Sequence, residues 1–183
     1  MESPDIFKGE TGMNQRQRNV RTIKMQQREL DLRSQFWPDL SPDQIWDRKK
    51  ATGFTTIPRT IPHFLRIMDY LAPKGKPVSN TYLALWCRSF DQYVLTIDNP
   101  KELAFESGFG GSRMESPWRS RMKILQELKF IDSKPGASGP LNYVIIYNPY
   151  RVIKRLHEEG KLREEDFNAL FVRSQSIGTK ELQ

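Results

Sequence analysis

Cysteine is nearly absent from this 183-residue chain. The single Cys87, between Trp86 and Arg88, leaves no intrachain disulfide to form and excludes a secreted, disulfide-stapled fold. It lies in an apolar run that reads as core, and a reducing cytoplasm is the expected location. Histidine is almost as scarce, with His63 and His157 alone, and no His, Cys, Asp or Glu cluster has metal-ligand spacing. Long apolar runs are missing too: residues 82–87 and 143–147 fall far short of the roughly 20 residues a spanning helix needs, and no basic-then-apolar leader opens the chain. The acidic pairs Glu158-Glu159 and Glu164-Glu165 stand among Lys and Arg and read as solvated helix faces. The expectations are no membrane association, no metal, no cofactor, no catalytic residues and no enzyme.

What is present is a polar but foldable composition. Hydrophobic residues make up 37% and charged residues 28%, while aromatics at 11% are too many for a fully disordered chain. The length suits one domain with extensions. The net charge is +7, the balance of a protein that meets phosphates or anionic surfaces. Residues 1–50 contribute +2, residues 51–150 contribute +4 and residues 151–183 contribute +1. The middle also holds most aromatic and branched residues, so the core and the anion-seeking surface belong together.

Residues 1–13 lack periodicity and read as a disordered tail. Residues 14–54 read as a basic, partly helical arm, with only Val20, Ile23, Met25, Leu30 and Leu32 to bury between residues 14 and 33. Ser41 is placed as an N-cap before Pro42, and Trp37 and Trp46 can dock a partner. A domain over 55–160 follows, and then a C-terminal helix and tail over 161–183. Thr60 caps a helix with Phe64, Leu65, Met68 and Leu71 at helical spacing, stopped by Pro73 and Gly75. Asn80 or Thr81 opens a second helix that buries Tyr82, Leu83, Leu85, Trp86 and Phe90. Residues 93–97 read as a single short strand. Asn99, Pro100 and Glu102 form an explicit helix start, with Leu103, Ala104 and Phe105 buried and Gly108 as the stop. Ser116 and Pro117 start a fourth helix that runs to Lys129. Ile131 begins a β-hairpin with a flexible tip over 134–140 and a return strand over 142–147. Asn148 and Pro149 cap a helix over 150–159, and a last helical stretch over about 163–173 closes the chain. The fold class is mainly α with a small β-hairpin.

This order resembles a winged helix-turn-helix, carried by residues 60–149. It rests most on Asn99-Pro100-Lys101-Glu102-Leu103-Ala104-Phe105-Glu106-Ser107-Gly108-Phe109, similar to a positioning helix and its turn. Trp118-Arg119-Ser120-Arg121-Met122-Lys123-Ile124-Leu125-Gln126-Glu127-Leu128-Lys129-Phe130-Ile131 then resembles a recognition helix entering the first wing strand. The segment from Gly108 to Glu115 exceeds the 3–4 residues of a minimal turn. The resemblance implies N- and C-terminal helical extensions around a module that inserts one helix, about 116–129, into the major groove of duplex DNA, with a wing over about 131–147 on backbone or minor groove. A sequence-specific transcriptional regulator is the first expectation. A plasmid or phage replication initiator or partition protein, or a protein-interaction module, are the alternatives.

At about 100° per residue, with Trp118 at 0°, Met122 and Leu125 share the buried stripe, and Arg119, Lys123, Ser116 and Ser120 point away from it. Arg121 flanks the stripe and reads as structural. Against a DNA role for Lys123 stands a plain i,i+4 pair with Glu127. In its favour, Arg113, Arg119, Arg121 and Lys123 face one acid, Glu115, at a helix start that attracts phosphate. The candidate DNA contacts are Arg113, Ser116, Arg119, Ser120 and Lys123, with Lys134 and Ser138 on the wing. Glycines 108, 110 and 111 read as a turn rather than a phosphate cradle, having no preceding strand or Gly-Lys-Ser/Thr ending. Val152, Ile153, Leu156, Leu162, Phe167, Leu170 and Phe171 exceed what one domain needs to bury, so a homodimer through the C-terminal helices is expected.

Overall fold

A computed structural model describes residues 15–182, and the expected tail over 1–13 lies outside the described residues. The chain divides into two units between Thr52 and Gly53. In the first, α1 (Gln15–Phe36) is a solvated helix. Val20, Ile23, Met25, Leu30 and Leu32 are all exposed. At about 100° per residue, Val20, Ile23 and Leu30 fall on one side and Met25 and Leu32 on the other, so no continuous stripe exists to bury. Ser41 opens a single 3₁₀ turn, Pro42–Gln44, where the Gln44 side chain accepts from the Ser41 N–H at 3.0 Å.

The second unit runs from Gly53 onward through α2 (Ile61–Leu71), α3 (Ser79–Arg88), β1 (Val94–Thr96), α4 (Pro100–Glu106), α5 (Glu115–Glu127), β2 (Ile131–Gly136), β3 (Gly139–Ile146), α6 (Pro149–Glu158) and α7 (Glu164–Ser176). It is mainly helical with a small three-stranded antiparallel sheet in the order β1-β3-β2. The segment read as a lone strand therefore joins the hairpin, with Leu95 opposite Val144. Phe64, Tyr82, Leu85, Trp118, Met122, Leu125, Phe130 and Ile153 fill the core. Among the described residues no helix is long and apolar enough to cross a membrane.

Two of the caps read in the sequence are present. The Asn99 side chain accepts from Glu102 N–H at 3.4 Å, and Gly108, at φ +86°, follows the end of α4. The Asn148 side chain likewise accepts from Tyr150 N–H at 3.0 Å to start α6. Others are corrected by tertiary contacts. Thr60 precedes α2, but its hydroxyl is shared with the Tyr150 phenol at 2.6 Å instead of capping. Neither Asn80 nor Thr81 opens α3: the Asp69 carboxylate on α2 accepts from the Val78 and Ser79 N–H groups at 2.7 and 2.8 Å. Ser116 lies inside the first turn of α5, which begins at Glu115.

Three apolar expectations fail on the surface. Phe90 lies beyond the end of α3 and is 85% exposed, Phe105 is 70% exposed, and Cys87 faces solvent. The expected flexible hairpin tip is a two-residue turn, Ala137-Ser138, flanked by paired Gly136 and Gly139. A Cβ on Gly136 would lie 2.7 Å from the Tyr143 ring and closer still to the buried Asn142 amide, so only glycine lets the strands close this far.

The C-terminal residues fold back on the same core. Val152, Ile153, Leu156 and Leu170 are buried, and Leu162, Phe167 and Phe171 pack half-buried against them. Asp166 on α7 anchors this return, accepting from Arg66 Nε of α2 at 2.7 Å and pairing with Arg163 at 2.6 Å. The apolar surface on which the homodimer expectation rested is thus used within one chain, and residues 161–182 belong to the second unit rather than outside it.

Candidate nucleic-acid interface

Helix α5 is held by its apolar side. Trp118, Met122 and Leu125 are fully buried, and Ile124 widens the buried face beyond the stripe read from spacing. Arg121 fastens the helix to the α2–α3 connection, donating from Nε to the Pro77 carbonyl at 3.0 Å and from Nη2 to the Gly75 carbonyl at 3.4 Å. Its guanidinium also lies 5.6 Å from the Phe109 ring centre. A cation spent on backbone carbonyls is drawn away from phosphate, so Arg121 holds the helix.

The opposite face carries the sequence candidates. Ser116 and Lys123 are exposed, while Ser120 is half-buried. Arg119 is 37% exposed; it pairs with Glu115 at 3.1 Å and lies 5.9 Å from the Trp118 ring centre. Lys123 reaches Glu127 at 3.8 Å. Both are i,i+4 pairs, the first half-buried and the second exposed, worth at most a few tenths of a kcal/mol each, which a phosphate can replace. Arg113, in the turn ahead of the helix, is exposed and makes no ion pair among the described residues. Glu127 lies just beyond the window in which four cations faced one acid; with it included and Arg121 committed elsewhere, the face is far closer to neutral than the sequence count implied.

The two hairpin candidates separate. Lys134 projects from the β2 strand, exposed, with Asp132 at 3.5 Å. Asp132 is held below the ordinary carboxylate range by a backbone hydrogen bond and the neighbouring Lys134 and Lys129 charges. Ser138 turns inward, its hydroxyl donating to the Ile97 carbonyl, which also accepts from Asn142 Nδ2 at 3.1 Å. It ties the hairpin turn to the β1–α4 junction, a contact between residues 41 positions apart that no local pattern announces. Gly108 and Gly111, both with positive φ, make the α4–α5 turn as read.

Other chemistry-bearing residues are absorbed by pairing. Arg88 holds Glu102 at 2.6 Å and Glu106 at 2.5 Å, locking α3 to α4, and these contacts keep the Glu106 carboxyl below its usual range. Desolvation and the nearby Arg173 and Arg66 charges lower the His63 pKa, with Asp166 opposing. His157 stacks on Phe167 with ring centres 3.7 Å apart and contacts Glu164 at 2.6 Å. Lys129, Arg151 and Arg155, which the sequence pattern does not single out, converge at the far end of α5. No protein-family model, no curated protein and no solved structure matches this chain.

Proposed function

We propose that the second unit is a winged helix-turn-helix that binds duplex DNA through α5, as a sequence-specific transcriptional regulator. The observation that carries this reading is the order α3, β1, α4, α5, β2, β3 with strands arranged β1-β3-β2. In that arrangement a short capped helix and a glycine turn deliver a second helix whose outer face is polar and whose C-terminal end runs into a hairpin. Arg113, Ser116, Arg119 and Lys123 supply groove and phosphate contacts, and Lys134 supplies backbone contact from the hairpin. The test is titration of a labelled duplex at several salt concentrations, where the log–log slope is roughly −0.9 per phosphate contacted. No binding, or a flat dependence, refutes it. Selection from random duplexes separates regulation, marked by single operators, from replication or partition, marked by iterated repeats.

A second reading is favoured by one specific feature. The outer face of the sheet exposes Val94, Tyr143 and Ile145, with Val94 opposite Ile145 in the register. Apolar residues on both faces of a strand suit a protein partner. Salt-insensitive capture of a protein with no retention of DNA decides for that reading.

A further inference from the structure

A concentration of cations lined by no carboxylate lies outside the face just described. An open groove of about 600 Å³ is lined by Lys129, Tyr147, Asn148, Arg151, Val152 and Arg155, with no carboxylate among them. Three separate parts of the chain build it. Lys129 follows α5 in the left-handed region at φ +65°, Tyr147 and Asn148 leave β3, and Arg151 and Arg155 lie one helical turn apart on α6. Arg155 Nη2 donates to the Leu128 carbonyl at 3.3 Å, fixing α6 against the carbonyl end of α5 where a cation is favoured. Lys129 and Arg151 are exposed and make no ion pair among the described residues. Two of the nearby acids are taken by other cations: Glu159 bridges Arg155 at 3.6 Å and Lys161 at 2.7 Å, and Asp132 faces Lys134. Arg151 also borders a second hollow of about 270 Å³ with Lys154, Lys180 and Glu181, the last bonded to Asn148 Nδ2 at 3.2 Å. Cations therefore continue along the outer side of α6.

We infer that this groove is a second phosphate-binding region, taking nucleic-acid backbone with Lys129 and Arg151 as its contacts and Arg155 as the residue that holds it in shape. The groove is an open track shared between two hollows rather than an enclosed pocket, which suits a continuous run of phosphates better than a small metabolite. Its place in the fold separates it from the candidate DNA face. The hairpin pairs Gly136 with Gly139 at its turn and Ile131 with Ile146 at its base, and the groove lies beyond the base. Helix α5, with 13 residues, puts about 20 Å between its phosphate-attracting start and Lys129 at 1.5 Å per residue. Contacts here read no bases, so they add affinity alike on all sequences.

The inference rests on the DNA reading and is tested beside it on the full chain. Salt titrations on a duplex of about 30 base pairs, roughly 100 Å at 3.4 Å per step, compare the wild type with Lys129→Asn/Arg151→Gln and Arg119→Ala/Lys123→Ala. Asparagine tolerates the left-handed backbone at position 129, and melting curves check that each variant folds. The expected result is a slope shallower by about two units for Lys129→Asn/Arg151→Gln, at roughly 0.9 for each phosphate no longer neutralised, with sequence preference unchanged. An unchanged slope in that variant, with normal wild-type binding, overturns the groove and leaves the α5 reading standing. Absence of salt-dependent binding in the wild type overturns both. Saturable calorimetric binding of pyrophosphate, abolished by Lys129→Asn/Arg151→Gln while the DNA slope is unaffected, assigns the groove to a free anion and overturns the backbone assignment.

Discussion

The two ends of α5 handle positive charge in opposite ways. Along its outer face Arg119 and Lys123 are each matched by a glutamate four residues away, whereas beyond its C-terminal end Lys129 and Arg151 make no ion pair among the described residues and only Arg155 is matched, by Glu159. A basic run in sequence counts cations but not the acids folded beside them. Neutralisation at i,i+4 is local and weak, so it leaves a face able to exchange partners. Convergence from three elements is non-local, and it persists because α6 is bonded to α5 through Arg155.

The largest effect should come from removing what both ends share. Trp118 is wholly buried under α5, so Trp118→Ala should cost about 3–5 kcal/mol and abolish binding at both ends together. Retained groove-dependent salt sensitivity in a partly melted variant would show that the two ends do not depend on one core. Next, Arg119→Ala should weaken a preferred duplex by about 1–3 kcal/mol and relax specificity at one base pair. Arg121→Ala should instead lower the melting temperature through loss of its bonds to Pro77 and Gly75, with binding following stability. If Arg121→Ala abolishes binding at unchanged melting while Arg119→Ala is silent, the assignment of faces is reversed.

Acid should loosen the return of α7 on to α2. Burial alone would raise the Asp166 pKa, but hydrogen bonds and charge from Arg66 and Arg163 outweigh it and hold the carboxyl below its ordinary value. A depressed carboxylate contributes stability above its unfolded pKa near 3.9, and that contribution is lost as pH falls through the lowered folded value. Melting followed from pH 5 downward should therefore fall more steeply for the wild type than for Asp166→Asn, with α7 loosening first; parallel curves would remove the anchor role. The smallest effect is expected from Glu127→Gln, which should lower stability by a few tenths of a kcal/mol and tighten DNA binding by relieving repulsion of phosphate. Unchanged or weaker binding in that variant would place the outer face of α5 away from DNA.

Legibility follows the range of the interaction. The starts of α4 and α6 are readable because Asn99 and Asn148 act on backbone within three residues of themselves. The start of α3 is not, since its cap is Asp69 on the preceding helix, nine and ten residues away from the groups it satisfies. Phe90 and Phe105 mislead because hydrophobicity indicates a preference for burial but not whether a neighbour exists to cover the ring. At the candidate site, helical phase places Lys123 correctly, while Ser138 escapes it because its hydroxyl is claimed by Ile97, 41 residues earlier.

By itself the sequence determined the helical and strand content, the two asparagine caps, the glycine turn into α5 and the phase that turns Trp118 inward, all consequences of backbone sterics and of spacing along one element. The tertiary structure alone decided that Thr60 bonds Tyr150, that β1 completes a sheet, that α7 returns through Asp166 to α2, and that Lys129, Arg151 and Arg155 meet. Those outcomes depend on which surfaces remain to be covered once the core has closed. Burial and charge pairing act through space, and distance along the chain does not encode them.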